Sequence, residues 1–158
     1  MTAQLPQSPN TSCSQLYDQD FYLWIQTNIE LLQQGRLTEL DLENLIEELT
    51  TMGRSEKKAT RSNLEVVLMH LLKYRYQAEK RSGSWRATIR EHRKRLRLAF
   101  VESPSLQPYF YEVFSECYDH ARLLAADETE LHLATFPQQS PFTPEQVLDP
   151  DFLPETGD

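Results

Sequence analysis

Nine consecutive residues, Leu64 to Leu72, contain only two polar side chains, Glu65 and His70. Wound as a helix, the run covers more than two turns and is apolar almost all round. A helix without a polar face must be enclosed. No apolar run approaches the ~20 residues of a membrane span, so other segments of the chain must enclose it. Gly is rare, β-branched alternation is nearly absent, and Leu, Glu, Gln, Arg and Ala prevail, which favours helices throughout. The sequence therefore predicts an all-α single-domain bundle packed around Leu64–Leu72. It has five main helices, a short C-terminal helix and a Pro-rich ordered tail. At 158 residues one domain suffices, burying roughly two thirds of its unfolded surface.

The helix boundaries follow from local chemistry. Asp18 is the expected N-cap of a first helix to about Gln34, with Phe21, Trp24, Ile25, Ile29 and Leu32 on one side. Gly35 is its left-handed stop. Thr38 and Asp41 read as a capping-box-like pair opening a second helix. Its stripe is Leu42, Leu45, Ile46, Leu49 and Met52, and Gly53 ends it. A third helix runs from about Ser55 to Gln77. Ser84 is placed to cap a fourth over Trp85–Glu102, with the stripe Trp85, Ile89, His92, Leu96 and Ala99. Ser103-Pro104-Ser105 separates it from a fifth helix reaching Leu131, whose inner face is Phe110, Phe114, Cys117, Ala121 and Leu124. Thr143, Pro144 and Gln146 mark a short sixth helix, and Phe152-Leu153-Pro154 forms an ordered strap. Residues 1–15 are expected to be a disordered arm, 16–154 the helical domain, and 155–158 a disordered tail.

Charge is distributed unevenly. Ten of the sixteen Lys and Arg residues lie between Lys73 and Arg97, alongside only Glu79 and Glu91, so this segment carries +8 in a chain of −8. Such an imbalance needs an acidic surface in the same fold or an anionic ligand. Arg86, Arg90, Arg93 and Arg97 repeat at helical spacing, one position along from the apolar stripe, and are candidate anion-binding residues. The acids of Glu30–Glu56 are their candidate internal partners, and Glu48 is expected to reach toward the Trp85–Arg97 helix.

Five ordered segments carry a family likeness. They are Leu40-Asp41-Leu42-Glu43-Asn44-Leu45-Ile46-Glu47-Glu48, His70-Leu71-Leu72-Lys73, Ser84-Trp85-Arg86-Ala87-Thr88-Ile89, Ser103-Pro104-Ser105-Leu106 and Pro141-Phe142-Thr143-Pro144-Glu145-Gln146-Val147-Leu148. Together they resemble the domain of unknown function 29 family of small bacterial, mainly cyanobacterial, proteins. The resemblance implies a compact all-helical domain and no assigned activity. Members commonly carry a cysteine where this chain has Ser140, so no thiol role is implied there.

A polar cluster of Asp41, Glu47, Glu48, His70, Lys73, Trp85 and Arg86 is the candidate functional or structural centre. A histidine, a carboxylate and a lysine in an apolar setting suit acid/base work, and equally suit a core histidine satisfied by a hydrogen bond. Glu116/His120 and Glu128/His132 are i, i+4 pairs, but no Glu-x-x-His occurs on two helices as a di-iron bundle requires, and His-Glu-x-x-His is missing. No metal or cofactor is expected. Cys13 and Cys117 suggest no disulfide framework, and the opening segment has no signal-peptide pattern, so a cytoplasmic location is expected. The leading expectation is a protein-interaction or regulatory module with a protein partner, a homodimer included, and no membrane. A nucleic-acid-binding protein using the arginine row is the alternative, and an enzyme with a Glu48/His70 centre is third.

Overall fold

The computed structural model describes residues 12–156. The expectation of a disordered arm falls largely on residues 1–11, outside those described. The class is all-α, with six α-helices among the described residues: α1 (Cys13–Gln19), α2 (Phe21–Gln33), α3 (Leu42–Tyr76), α4 (Gly83–Glu102), α5 (Leu106–Thr129) and α6 (Pro144–Leu148). They build two compact units, Met1–Gly53 and Arg54–Asp158.

Several boundaries differ from the sequence reading, each for a local reason. The first predicted helix is two. Ser12 opens α1, its N–H donating to Gln15 Oε1 at 3.1 Å, and Asp20, not Asp18, caps α2 by accepting from Leu23 N–H at 3.0 Å. Gly35 does end that region, at φ +70°. Thr38 lies within a 3-10 turn, Leu37–Glu39, and Asp41 is the residue from which α3 springs, its carbonyl accepting from Leu45 N–H. Gly53 does not stop α3, which continues to Tyr76. A helical Gly costs about 1 kcal/mol, but no proline follows it, and Arg54, Glu56, Lys57, Lys58 and Ala59 favour helix. Ser82, two residues ahead of the expected Ser84 cap, accepts from Trp85 N–H and starts α4 at Gly83.

In the second unit the core forms where the apolar run predicts. Leu64, Val67, Leu68, Leu71 and Leu72 of α3 are fully buried, against Ile89 and Leu96 of α4 and Phe110, Cys117, Ala121 and Ala125 of α5. Leu124, assigned to the inner face of α5, is exposed, and Ala125 takes the place. Phe136, Phe142 and Val147 close the core from the C-terminal segment. The short α6 has the predicted cap: Thr143 accepts from Gln146 N–H, Gln146 returns the bond, and Pro144 stands in the first turn.

In the first unit the buried residues of α2 are Trp24, Asn28 and Leu31. The predicted stripe fares differently: Phe21, Ile29 and Leu32 are about half exposed, as are Leu42, Ile46, Leu49 and Met52 of α3.

Candidate functional site

The polar cluster read from the sequence divides between the two units. Asp41, Glu47 and Glu48 belong to the first, and His70, Lys73, Trp85 and Arg86 to the second.

Asp41 is buried, and one of its carboxylate oxygens accepts from Trp24 Nε1–H at 2.9 Å and from Asn44 Nδ2–H at 2.8 Å. Asn28 completes the knot by accepting from Asp41 N–H and donating to the Trp24 carbonyl. Glu48, expected to reach toward α4, instead accepts from Tyr17 Oη at 2.6 Å within its own unit. That bond to a carboxylate pushes the Tyr17 phenol up to about 12. Glu47 is exposed, so the two neighbouring glutamates do differ in role.

In the second unit, Lys73 is buried, ion-paired with Glu128 of α5 and set 4.6 Å over the Trp85 ring. His70 lies beside this group with its Nδ1 2.9 Å from the Val66 carbonyl. A carbonyl only accepts, so Nδ1 carries the proton and donates. His92 similarly places Nδ1 2.7 Å from Asn63 Oδ1. Burial lowers both imidazoles; the Val66 carbonyl partly offsets this at His70, Lys73 opposes protonation of His70 and Arg95 that of His92, and Glu128 and Glu91 act the other way more weakly. His70 is thus a core histidine satisfied by a carbonyl. Glu128 is the partner that sequence reading placed elsewhere, in a pair with His132. Glu116 likewise turns to Arg61, and His120 to Glu65, so neither i, i+4 pair shares a ligand. His132 instead caps the following turn, accepting from Ala134 N–H.

A pH dependence follows. A histidine lowered in the folded state leaves the unfolded chain binding more protons below its ordinary value of 6.5. Stability is then fully retained above about 6.5 and is lost as pH falls from there through the lowered native values. Urea midpoints are expected to decline between pH 7 and 5.5, before carboxylates titrate, and His70→Gln combined with His92→Gln should flatten that slope. An unchanged slope in the double variant would contradict the assignment.

The arginine row does not act as one group. Arg93 is buried, and its guanidinium donates to three main-chain carbonyls: Nε to Val147 at 2.8 Å, Nη1 to Phe152 at 2.7 Å and Nη2 to Gln146 at 3.1 Å. Where internal pairing predicts a carboxylate, the partners are carbonyl dipoles of α6 and the strap. Burial lowers Arg93 to about 10, with Asp149 partly offsetting it, so the group stays charged at neutral pH. Arg81 and Arg122 make the same use of guanidinium, on the Tyr74 carbonyl and on those of Phe136 and Leu133. Part of the basic segment therefore satisfies connecting backbone that would otherwise be underbonded. Arg95 pairs with Glu91 in its own helix. Arg86, Arg90, Lys94 and Arg97 remain exposed, and none forms an ion pair with a carboxylate of its own unit among the described residues.

Two open surfaces result. A groove of about 400 Å³ in the first unit is lined by Phe21, Ile25, Ile29, Leu45, Leu49 and Met52, with Glu48 at its edge. A second groove, of about 530 Å³, runs along α4 in the second unit and combines cations with apolar side chains. Neither was legible as a surface in the sequence, because helical periodicity identifies a stripe without saying whether anything covers it.

No helix among the described residues is long and apolar enough to cross a membrane. Searches of curated proteins and of solved structures returned no match. The model of one family, described as domain of unknown function DUF29, matches residues 16–153, the span in which the knot, the core and both grooves lie. With nearly the whole chain matched, the protein belongs to the DUF29 family.

Proposed function

We propose that this protein is a protein-interaction module whose first unit receives a basic amphipathic helix of a partner, in a reducing cytoplasm. The observation that carries the reading is the open apolar face of α2 and the first turns of α3. Leu42, Ile46, Leu49 and Met52 are 56–65% exposed, and Phe21, Ile29 and Leu32 are 46–50% exposed. Seven such side chains leave on the order of 800 Å² uncovered, about one partner's share of a standard interface. Exposed apolar patches of that size are uncommon on surfaces that bind nothing.

Charge selects the occupant. The first unit holds eight carboxylates against the single cation Arg36, a formal −7. Two copies meeting face to face through this patch would repel, whereas a helix with an apolar stripe and flanking Lys or Arg would be attracted. The free cysteines Cys13 and Cys117 suit a reducing compartment.

The test uses a synthetic 18-residue amphipathic Leu/Lys helix and a scrambled control of equal charge. The helix is expected to bind at micromolar Kd and the control at least tenfold more weakly. Leu49→Asp with Met52→Asp should weaken the helix at least tenfold while shifting Tm little, because both side chains are more than 60% exposed. Equal binding of helix and control would sink the proposal. So would a concentration-dependent dimer in sedimentation that the double variant abolishes, since the occupant would then be a second copy.

A further inference from the structure

The groove along α4 belongs to the second unit and has its own chemistry. Arg90, Lys94 and Arg97 stand at i, i+4 and i+7, which places three cations on one side of the helix. Leu98, Phe100 and Val101 of the same helix supply apolar surface, and Leu148 and Pro150 form the opposite wall. Leu98 is 48% exposed and Val101 is 77% exposed, a cost in water that no packing in the fold offsets. No residue lining the groove is acidic.

Beneath the cations lies Arg93, a buried charge hydrogen-bonded to three carbonyls and partly answered by Asp149. It adds positive potential from the low-dielectric side, where screening is weak. Of the nearby acids, Asp149 acts on Arg93 itself. Asp151 shares a smaller neighbouring cavity with Arg86 and Arg90, away from Lys94 and Arg97. Lys94 and Arg97, exposed and in no ion pair among the described residues, stand next to the exposed Leu98 and Val101.

We propose that this groove binds an organic anion with an apolar body, a phosphate monoester or carboxylate on an alkyl chain. The anion lies at Lys94 and Arg97, and the chain covers Leu98, Val101, Phe100 and Leu148. The volume falls in the range of small-molecule sites, roughly 300–1,000 Å³. Inorganic phosphate would use the cations and leave the apolar wall wet. A nucleic-acid strand fits less well: stacking needs an open aromatic ring, the groove's one aromatic residue, Phe100, is half-buried in the core, and the chain is net negative.

Isothermal titration at fixed salt can decide this, using octyl and decyl phosphate below their micellar concentrations, inorganic phosphate, decyltrimethylammonium and a 20-nucleotide single strand. Decyl phosphate is expected to bind at least tenfold tighter than inorganic phosphate, with each added methylene tightening it by about two- to fourfold. Lys94→Gln with Arg97→Gln should weaken it at least tenfold, and Val101→Asp similarly. These exposed substitutions leave Arg93 and the strap intact, and circular dichroism melts confirm folding. Vesicles of phosphatidylglycerol and phosphatidylcholine separate the sources. Capture by vesicles that the double variant abolishes assigns the anion to a lipid, and its absence beside decyl phosphate binding assigns it to a free amphiphile. Decyl phosphate no tighter than phosphate, equal binding of the cationic detergent, an unaffected double variant, or tighter binding of the oligonucleotide would each overturn the proposal.

Discussion

Arg93→Ala is expected to destabilise the protein by about 3–5 kcal/mol, because three carbonyls lose a charged donor inside a packed site. Arg93 is 2% exposed, and its guanidinium joins α4 to segments 53 to 59 residues further along the chain. Its loss should free the strap that carries Phe152, packed against the core, and Pro154, itself buried. Limited proteolysis is expected to cut first between Ser140 and Glu155. Arg93→Met fills the volume but restores none of the bonds, so it should recover only the packing part. Arg93→Lys should recover little more, since one ammonium cannot match a planar fork aimed at three separate acceptors. Urea denaturation measures all three. A loss under 1 kcal/mol for Arg93→Ala would show that the carbonyls find water without cost and that the clamp is incidental.

Asp41→Ala is expected to cost about 2–4 kcal/mol, acting in the first unit. It strands the Trp24 indole N–H and the Asn44 amide, both of which donate to one Asp41 oxygen. The Asn28 bonds to the Asp41 backbone and the Trp24 carbonyl should remain, keeping the loss local. Asp41→Asn retains one acceptor oxygen and should lose less than half as much. Hydrogen exchange at the Trp24 indole gives a specific readout, expected to accelerate strongly in Asp41→Ala and modestly in Asp41→Asn. If both variants exchange like the parent protein, the Trp24–Asp41 bond does not hold α2 to the start of α3.

The two clamps show which kinds of information the chain carries locally. Gly35 at positive φ, the Thr143-Pro144-Gln146 cap and the enclosed Leu64–Leu72 run were readable because each depends on residues within a turn or two. Asp41 was readable as a helix-opening residue for the same reason. Its indole partner was not, because Trp24 lies 17 positions earlier. Gly53 misled because a glycine's cost is small against the many favourable neighbours of α3, and no proline follows to stop it.

The amino-acid sequence by itself determined that this protein is helical, where most of its turns fall, and that its basic segment is concentrated near α4. Only the tertiary structure decided how those charges are used. Arg93 and Arg97 are one helical turn apart in the same row, yet the first is buried against carbonyls and the second is open to water. Periodicity cannot separate them, since one turn of helix returns nearly the same direction. Position along the axis, and what another segment brings to it, separates them. The same holds for the apolar face of α2 and α3. Its stripe is a property of spacing, but its exposure depends on whether any part of the chain supplies a surface to cover it.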